Sequence, residues 1–391
     1  MHNAPAHGVD SSRGWVVVFS AFLAMFTVFG VAYSFGEFFG PMADEFGTSR
    51  SETALFFALT TFAYFAMGVV SGRVADRIGP RPVLLFGGVA MVLGLLLTAE
   101  VSSIQLGYLT YGLGVGLGVA CGFVPMVAAV GGWFVERRTL ALGLAVSGIG
   151  LGTLVLVPII ERVIEANGWR DAYRLFALIS AVLLAIAAVF AHKPPNSAGP
   201  PTPIRDAIRG RTDFWYLYAS SFFLAASLFT PFVFMADYID TTGTNGSAAV
   251  LLGVIGMASI VGRLSFGAIA ARIGLLGLFR LSCAGLGLSF LVWIVADTSY
   301  LLLVLFAVVL GVSYGGIIAL SPAVVAELFG VVGMGGVLGA LYTANGLGGL
   351  IGPPVMGRII DSSGHTAAQW VALVFGLLGA ALLLPLRSSS A

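Results

Sequence analysis

The chain has 391 residues, of which 58% are hydrophobic and only 9% are charged, and its formal net charge is +1. Because about 25% of the residues of a soluble domain are charged, this composition excludes a water-soluble globule. A net charge near zero does not indicate a nucleic-acid partner either. The sequence therefore predicts an all-α protein that crosses the lipid bilayer several times.

Twelve apolar runs follow one another, each long enough to cross a bilayer core of ~30 Å as one helix. They lie near 14–37, 51–72, 83–101, 104–130, 139–161, 171–191, 213–238, 247–270, 275–296, 299–325, 335–360 and 366–386. A segment rich in Pro and Gly separates the sixth run from the seventh. We predict a six-helix bundle at 1–191, a cytoplasmic linker at 192–211 and a second six-helix bundle at 212–391.

The distribution of basic residues predicts the orientation of these helices. With both termini inside, thirteen Lys and Arg residues fall on the inner side and five on the outer side. Cytoplasmic loops carry such an excess, so we expect both termini to be cytoplasmic. The short loops and tails are typical of a multi-pass protein of the bacterial inner membrane, which we expect to work as a monomer.

The sequence shows no pattern typical of an enzyme or of a metal site. Cys121 and Cys283 lie in apolar runs, the four histidines lie outside them, and no HExxH spacing occurs. No nucleophile–base pair is visible. We therefore predict neither catalysis nor a bound metal or cofactor.

An internal repeat relates the two halves. GRVADRIG at 72–79 follows the second run, and GAIAARIG at 267–274 follows the eighth. Two pseudo-symmetric halves with a site between them are typical of transporters. The first copy resembles the loop motif of the major facilitator superfamily. This resemblance implies that Gly72, Asp76 and Arg77 take part in gating.

A narrower resemblance covers nearly the whole chain. WFVERRTLALGLAVSGIGLG at 133–152 is similar to the fifth-span signature of the monocarboxylate transporter family, with Arg137 and Arg138 at its two basic positions. GWRDAY at 168–173 and GPPVMGRIIDSSG at 352–364 resemble its sixth-span entry and eleventh-span segment. The resemblance implies the twelve-helix major facilitator fold and alternating access, with the basic pair in the conformational machinery. The oxalate/formate exchangers are related and share much of this pattern.

Arg263 lies inside the apolar run GMASIVGRLSFG at 256–267. A charge at this depth costs ~3 kcal/mol or more, so such residues usually face a watery cavity or a partner charge. The guanidinium fork matches a carboxylate, which favours an anion anchor. The resemblance supports this role, because an eighth-span arginine binds the substrate in the family. The alternative is a structural arginine tied to helix ends or to Asp76.

The charge of the predicted site favours one class of substrate. No other Lys or Arg lies comparably deep, and the eleventh run contains no lysine of the kind that exchangers of dicarboxylates carry there. One fixed positive charge suits one carboxylate. We therefore favour a monocarboxylate such as lactate or pyruvate over oxalate.

Four further residues are candidates for the substrate site. Tyr314 interrupts the tenth run at mid-depth, and a buried tyrosine needs a partner for its hydroxyl group. Asn345 lies among glycines of the eleventh run and either binds substrate or joins helices. Tyr33 matches a family position that contacts the ligand, and Tyr111 in the fourth run is a weaker candidate. For Tyr314 the alternative is an aromatic side chain packed near an interface.

Proton coupling is expected from the resemblance, but the residues differ from the animal members. Ser259 stands where they have an aspartate, and Glu37 where they have a first-span lysine. Burial in a low-dielectric cavity favours the protonated form of a carboxyl group. We therefore expect Glu37 or Asp237 to carry the proton, the alternative being that both are solvated acids at loop ends.

Together these patterns predict a secondary active transporter that carries small monocarboxylates with protons across the bilayer. A carboxylate exchanger of the oxalate/formate type is the main alternative. A membrane sensor built on a transporter fold is less consistent with the short linker and tails, which contain no signalling module.

Overall fold

The computed structural model describes residues 11–195, 211–329 and 334–387. Within these residues the chain forms helices joined by short turns, and each predicted apolar run overlaps one helix. The helices are α1 (Ser12–Phe46), α2 (Arg50–Ile78), α3 (Pro80–Thr98), α4 (Ile104–Trp133), α5 (Arg138–Asn167), α6 (Trp169–Phe190), α7 (Thr212–Thr242), α8 (Ala248–Ile273), α9 (Leu275–Ala296), α10 (Tyr300–Phe329), α11 (Met334–Ser363) and α12 (His365–Ala381).

Ten of the helices in the described part of the chain are long and apolar enough to cross a membrane. Of the other two, α12 is apolar but has 17 residues, and α11 has 30 residues but is rich in glycine and contains Asn345. Helix α1 consists of two segments, Ser12–Tyr33 and Phe35–Phe46, which meet at Ser34. The predicted all-α membrane fold is confirmed.

Single glycines turn the chain between consecutive helices at corresponding places in the two halves. Gly79 links α2 to α3 with a φ of 92°, and Gly274 links α8 to α9 with a φ of 98°. Gly168 links α5 to α6 with a φ of 86°, and Gly364 links α11 to α12 with a φ of 81°. Residues with a side chain rarely adopt this conformation. The glycine that ends each copy of the sequence repeat is therefore required by the turn.

Helix packing follows the same symmetry. In the first half, α1 packs on α5, α2 on α4, and α3 on both α4 and α6. In the second half, α7 packs on α11, α8 on α10, and α9 on both α10 and α12. The limits 1–191, 192–211 and 212–391 stay predictions, because residues 196–210 of the predicted linker lie outside the described residues.

Among the described residues, the most extensive contacts between the halves are those of α2 with α11, α5 with α8, and the second segment of α1 with α7. The α5–α8 pair is in backbone contact, because a Cβ added at Gly256 would lie 2.6 Å from the carbonyl oxygen of Gly150. A Cβ at Gly150 would collide with the carbonyl oxygen of Gly256 in the same way. Small residues allow such close approach of membrane helices.

Candidate functional site

A cavity of about 130 Å³ lies between the two halves. One water needs only ~10–15 Å³ measured in this way, so the cavity has room for a small organic molecule. Its walls are mostly apolar, with hydroxyl and amide groups from helices of both halves. The polar lining residues are Tyr33, Tyr64, Ser221, Tyr314, Ser321, Tyr342 and Asn345.

Arg263 in α8 is 5% exposed and lies next to this cavity. Its Nη1 donates a hydrogen bond to the carbonyl oxygen of Val146 in α5, at 2.7 Å. Its Nε and Nη2 are buried and have no hydrogen-bond partner among the described residues. No ion pair joins Arg263 to Asp76 or to another acid of the described segments. By hydrogen-bond geometry two donors of this buried cation therefore have no acceptor among the described residues, although the Tyr314 side chain lies within interaction range of the guanidinium group.

Tyr314 stands between Arg263 and the cavity. It belongs to the lining, whereas Arg263 does not, and the guanidinium carbon lies 5.8 Å from the centroid of the Tyr314 ring. The hydroxyl oxygens of Tyr33 and Tyr314 are 3.1 Å apart and share a hydrogen bond. The Tyr33 ring packs on Phe232 of α7, with a centroid distance of 4.4 Å. The structure thus brings three predicted site residues into one cluster.

The other two substrate candidates lie in different surroundings. Asn345 in α11 lines the cavity. Tyr111 in α4 does not line it; its ring is fully buried against Phe35, Phe56 and Tyr173, and its hydroxyl group has no partner among the described residues. The structure therefore does not bring Tyr111 to the cavity.

Sequence reasoning missed two tyrosines of the cavity wall. Tyr64 in α2 packs on Phe65 with a centroid distance of 4.1 Å, and Tyr342 in α11 packs on the same ring at 5.7 Å. Both line the cavity. The criterion that selected Tyr314, a tyrosine inside an apolar run, applies equally to these two residues and could have found them.

The two candidate proton carriers lie away from the cavity lining. In Glu37, Oε1 is buried and has no hydrogen-bond partner among the described residues. Asp237 instead receives two hydrogen bonds from Arg50, from Nε at 2.7 Å and from Nη2 at 3.0 Å. Nε2 of His365 lies 3.0 Å from Asp237 Oδ2, and Nη1 of Arg50 lies 3.4 Å from Asp361 Oδ1.

These four residues, Arg50, Asp237, Asp361 and His365, form what we call the Arg50 cluster. They come from α2, α7, α11 and α12, so the cluster joins the two halves at one end of the helices. At the same end, the Ser247 hydroxyl group preceding α8 donates to Glu161 of α5, at 2.8 Å.

The predicted gating residues lie at the opposite end. Asp76, Arg77, Arg137 and Arg138 are all exposed. Gly72 faces Val124 of α4, whose methyl group would lie 3.1 Å from a Cβ at this position.

The glycines of the fifth-span segment each face a neighbouring helix. Gly148 and Gly152 lie against the backbone of α1 at Phe22 and Phe26. Gly150 lies against Gly256 of α8. The spacing of these glycines therefore allows α5 to contact one helix of its own half and one of the other half at close range.

Comparison with known proteins agrees with this architecture. The profile described as Major Facilitator Superfamily matches residues 17–299 and 278–391. A bacterial homolog of the human lysosomal transporter Spinster, solved in an inward-facing and unoccupied conformation, has a TM-score of 0.72 and 15% identity, over 96% of this chain and 97% of that one. This likeness shows the fold.

Relatives by sequence point to a narrower group. Monocarboxylate transporter 3 of Rattus norvegicus is 31% identical over 96% of this chain and 79% of its own length. Monocarboxylate transporter 11 of Homo sapiens is 32% identical over 94% of this chain and 81% of its own length. The chain therefore belongs to the major facilitator superfamily and, within it, to the monocarboxylate transporter family, and it is a multi-pass membrane transporter rather than an enzyme.

Proposed function

We propose that this transporter carries small monocarboxylate anions, such as lactate and pyruvate, together with protons. The observation that carries the proposal is the free edge of Arg263, beside the Tyr33–Tyr314 pair at a cavity between the halves. A buried cation without an acidic partner is costly. A carboxylate ligand would supply the missing charge and two acceptor oxygens.

The Arg50–Asp237 ion pair is a geometric precedent for the proposed binding mode. Nε and Nη2 of Arg50 hold the two carboxylate oxygens of Asp237 side by side. The same two nitrogens are the unpartnered ones in Arg263. A substrate carboxylate can therefore bind Arg263 in the bidentate arrangement that Arg50 already makes with a protein carboxylate.

The charge around the cavity supports one carboxylate over two. Among the described residues that line it there is no Lys, Arg, Asp or Glu. Arg263, next to the lining residue Tyr314, is the positive charge of the proposed site. A second carboxylate of a substrate such as oxalate would be desolvated without a partner, which is strongly unfavourable.

The contacts between the halves support alternating access. The Arg50 cluster and the Ser247–Glu161 contact hold one end together, and the Lys and Arg bias assigns this end to the outer side. Rocking of the halves about the central site would break these contacts and open that end. The cytoplasmic termini, the bacterial inner membrane and the monomeric state belong to the same proposal.

Glu37 or Asp237 is the proposed proton carrier. Support for Glu37 is its buried oxygen without a partner, since burial favours the protonated form of a carboxyl group. Support for Asp237 is its place in an ion cluster that must open during transport. Exchange of carboxylates without net proton movement is the alternative.

The test is lactate uptake into proteoliposomes, with and without an inward proton gradient. We expect the gradient to stimulate uptake by the wild type, and we expect Arg263→Ala to abolish it. Arg263→Lys keeps the charge but loses the fork, so it should recover only a small part of the uptake. Arg174→Ala, which removes an exposed arginine of α6, is the control and should transport normally.

Three results would contradict the proposal in different ways. If Arg263→Ala takes up lactate at the wild-type rate, Arg263 does not bind the substrate carboxylate. Gradient-independent uptake driven by internal carboxylate would favour the exchanger. Absence of carboxylate uptake under either condition would reject monocarboxylate transport.

A further inference from the structure

The cavity wall has a polar end and a larger apolar part. The polar end is the Tyr33–Tyr314 pair with Arg263 next to it. The rest of the lining also contains the polar residues Tyr64, Ser221, Ser321, Tyr342 and Asn345 but is mostly apolar. We call its apolar part the apolar chamber; its main walls are Phe29, Phe65, Phe123, Leu228, Phe229 and Phe279. The chamber draws on five helices, α1, α2, α4, α7 and α9, and so on both halves of the molecule.

The apolar chamber favours substrates with apolar surface, a property that binding of the carboxylate at Arg263 does not select for. Hydrophobic binding energy scales with the apolar area removed from water. A two- or three-carbon acid held at Arg263 has almost no apolar surface to place in the chamber. The phenylalanine and leucine walls of the chamber offer no hydrogen bond to its hydroxyl or keto oxygen. An acid with a longer hydrocarbon tail would fill the chamber and expel its water.

The rings of the chamber also suit an aromatic tail. Phe29 meets Phe123 edge to face, with centroids 5.4 Å apart, and meets Tyr64 in the same geometry at 6.1 Å. Aromatic side chains favour such edge-to-face neighbours, which contribute beyond the area that they bury. A substrate ring entering between them would find the same kind of contact.

We propose that, in addition to lactate and pyruvate, this site takes monocarboxylates with an apolar tail, either branched alkyl or arylalkyl, and binds them more tightly than the short hydroxy and keto acids. The inference rests on the proposed monocarboxylate function and specifies its substrate class. The carboxylate occupies the free edge of Arg263 after a shift of the Tyr314 ring, and the tail extends into the apolar chamber.

The test is equilibrium binding to the purified full-length protein in lipid nanodiscs, measured by calorimetry, with empty nanodiscs as the blank. Binding is measured rather than uptake because protonated apolar acids cross lipid unaided. The ligands are propionate, butyrate, pentanoate, isovalerate, 3-phenylpropanoate, lactate and pyruvate. The uncharged 3-phenylpropanamide is the matched control for the carboxylate.

We expect affinity to rise about fourfold per methylene from propionate to pentanoate, as a buried methylene contributes. The aryl acid should bind at least tenfold more tightly than lactate. Leu228→Asn, a nearly isosteric change in the chamber wall, should flatten the series. The affinities of the straight-chain acids for the wild-type protein test the inference even if this variant does not fold.

The outcomes test the role of the apolar chamber and the binding of the carboxylate at Arg263 separately. A flat series, or lactate binding as tightly as the aryl acid, overturns the inference and leaves the proposed function standing. If the amide binds as tightly as the acid, the carboxylate anchor is wrong, and the proposed function and this inference both fail. A rising series with at least a tenfold preference for acid over amide supports both.

Discussion

The hydroxyl oxygens of Tyr33 in α1 and Tyr314 in α10 lie 3.1 Å apart, and this hydrogen bond links the two halves of the transporter at its central cavity. Tyr314 also lies over the guanidinium group of Arg263. If a substrate binds Arg263 as proposed, we expect it to displace the Tyr314 ring on its way from the cavity. Occupation of the proposed site would then break a contact between the halves.

Removing one hydroxyl group of this pair should strengthen binding, because a ligand that displaces the Tyr314 ring no longer has to break the hydrogen bond to Tyr33. A typical intramolecular hydrogen bond contributes about 0.5–1.5 kcal/mol, so Tyr314→Phe should raise carboxylate affinity roughly two- to tenfold. Because Tyr33 and Tyr314 share one bond, the double variant with Tyr33→Phe should gain less than the sum of the single changes. Calorimetry on the four proteins checks this, and strict additivity would show that the two hydroxyl groups act separately.

Backbone contact between α5 and α8 predicts a strong effect from one methyl group. In Gly150→Ala the new Cβ would collide with the Gly256 carbonyl oxygen, and overpacking of this kind costs about 1–3 kcal/mol. The variant should show a lower unfolding temperature and slower transport. Gly143→Ala is the control, since its Cβ would lie 3.7 Å from a Leu264 side-chain atom, an ordinary contact.

Both substitutions change helix propensity in the same way, so the control isolates the collision. Equal behaviour of Gly150→Ala and Gly143→Ala in thermal unfolding would show that the helices separate at no cost.

Glu37 gives a test of proton coupling. If its buried carboxyl group carries the proton, Glu37→Gln should lose stimulation by a proton gradient but retain counterflow of labelled substrate, because exchange needs no net proton movement. Glu165→Gln, at an exposed position of α5, is the matched control. Undiminished gradient-driven uptake by Glu37→Gln would remove this residue from the mechanism.

Asp237→Asn tests the Arg50 cluster separately. The change removes the charge that holds Arg50 and His365 together across the halves. If Asp237 carries the proton, only gradient-driven uptake should be lost. If Asp237 serves only to close this end, counterflow should change as well. A second substitution, Asp44→Cys, places a thiol in the polar pocket beside the cluster. This thiol should react faster with a membrane-impermeant reagent when Asp237→Asn is also present than when it is absent. An unchanged reaction rate would contradict the closing role.

Much of this architecture was predictable from local patterns. Apolar runs of about 20 residues predicted the helices, since burying an unpaired backbone in lipid is prohibitive. Arg263 was identifiable because a charge inside such a run is costly. Its neighbours Tyr33 and Tyr314 followed from the family resemblance and from the polar group that each carries into an apolar run.

The assembly of the cavity was not predictable in the same way. Tyr64, Tyr342 and the walls of the apolar chamber come from helices far apart in sequence, and which face of a transmembrane helix turns inward depends on its rotation and crossing angle. Tyr111, a weaker candidate than Tyr314, packs among aromatic rings of its own half. A membrane helix that is apolar on all sides gives little periodic signal for its inward face.

Lys193 is the chain's single lysine; it is exposed, and its Nζ donates a hydrogen bond to the carbonyl oxygen of Arg77, at 3.3 Å. An amine-reactive fluorophore therefore has one side-chain target, beside the loop that carries the superfamily motif. The unmodified protein can thus be labelled at a known position for fluorescence spectroscopy, without first removing competing lysines. Any movement of that loop relative to the end of α6 during transport would change the environment of the dye.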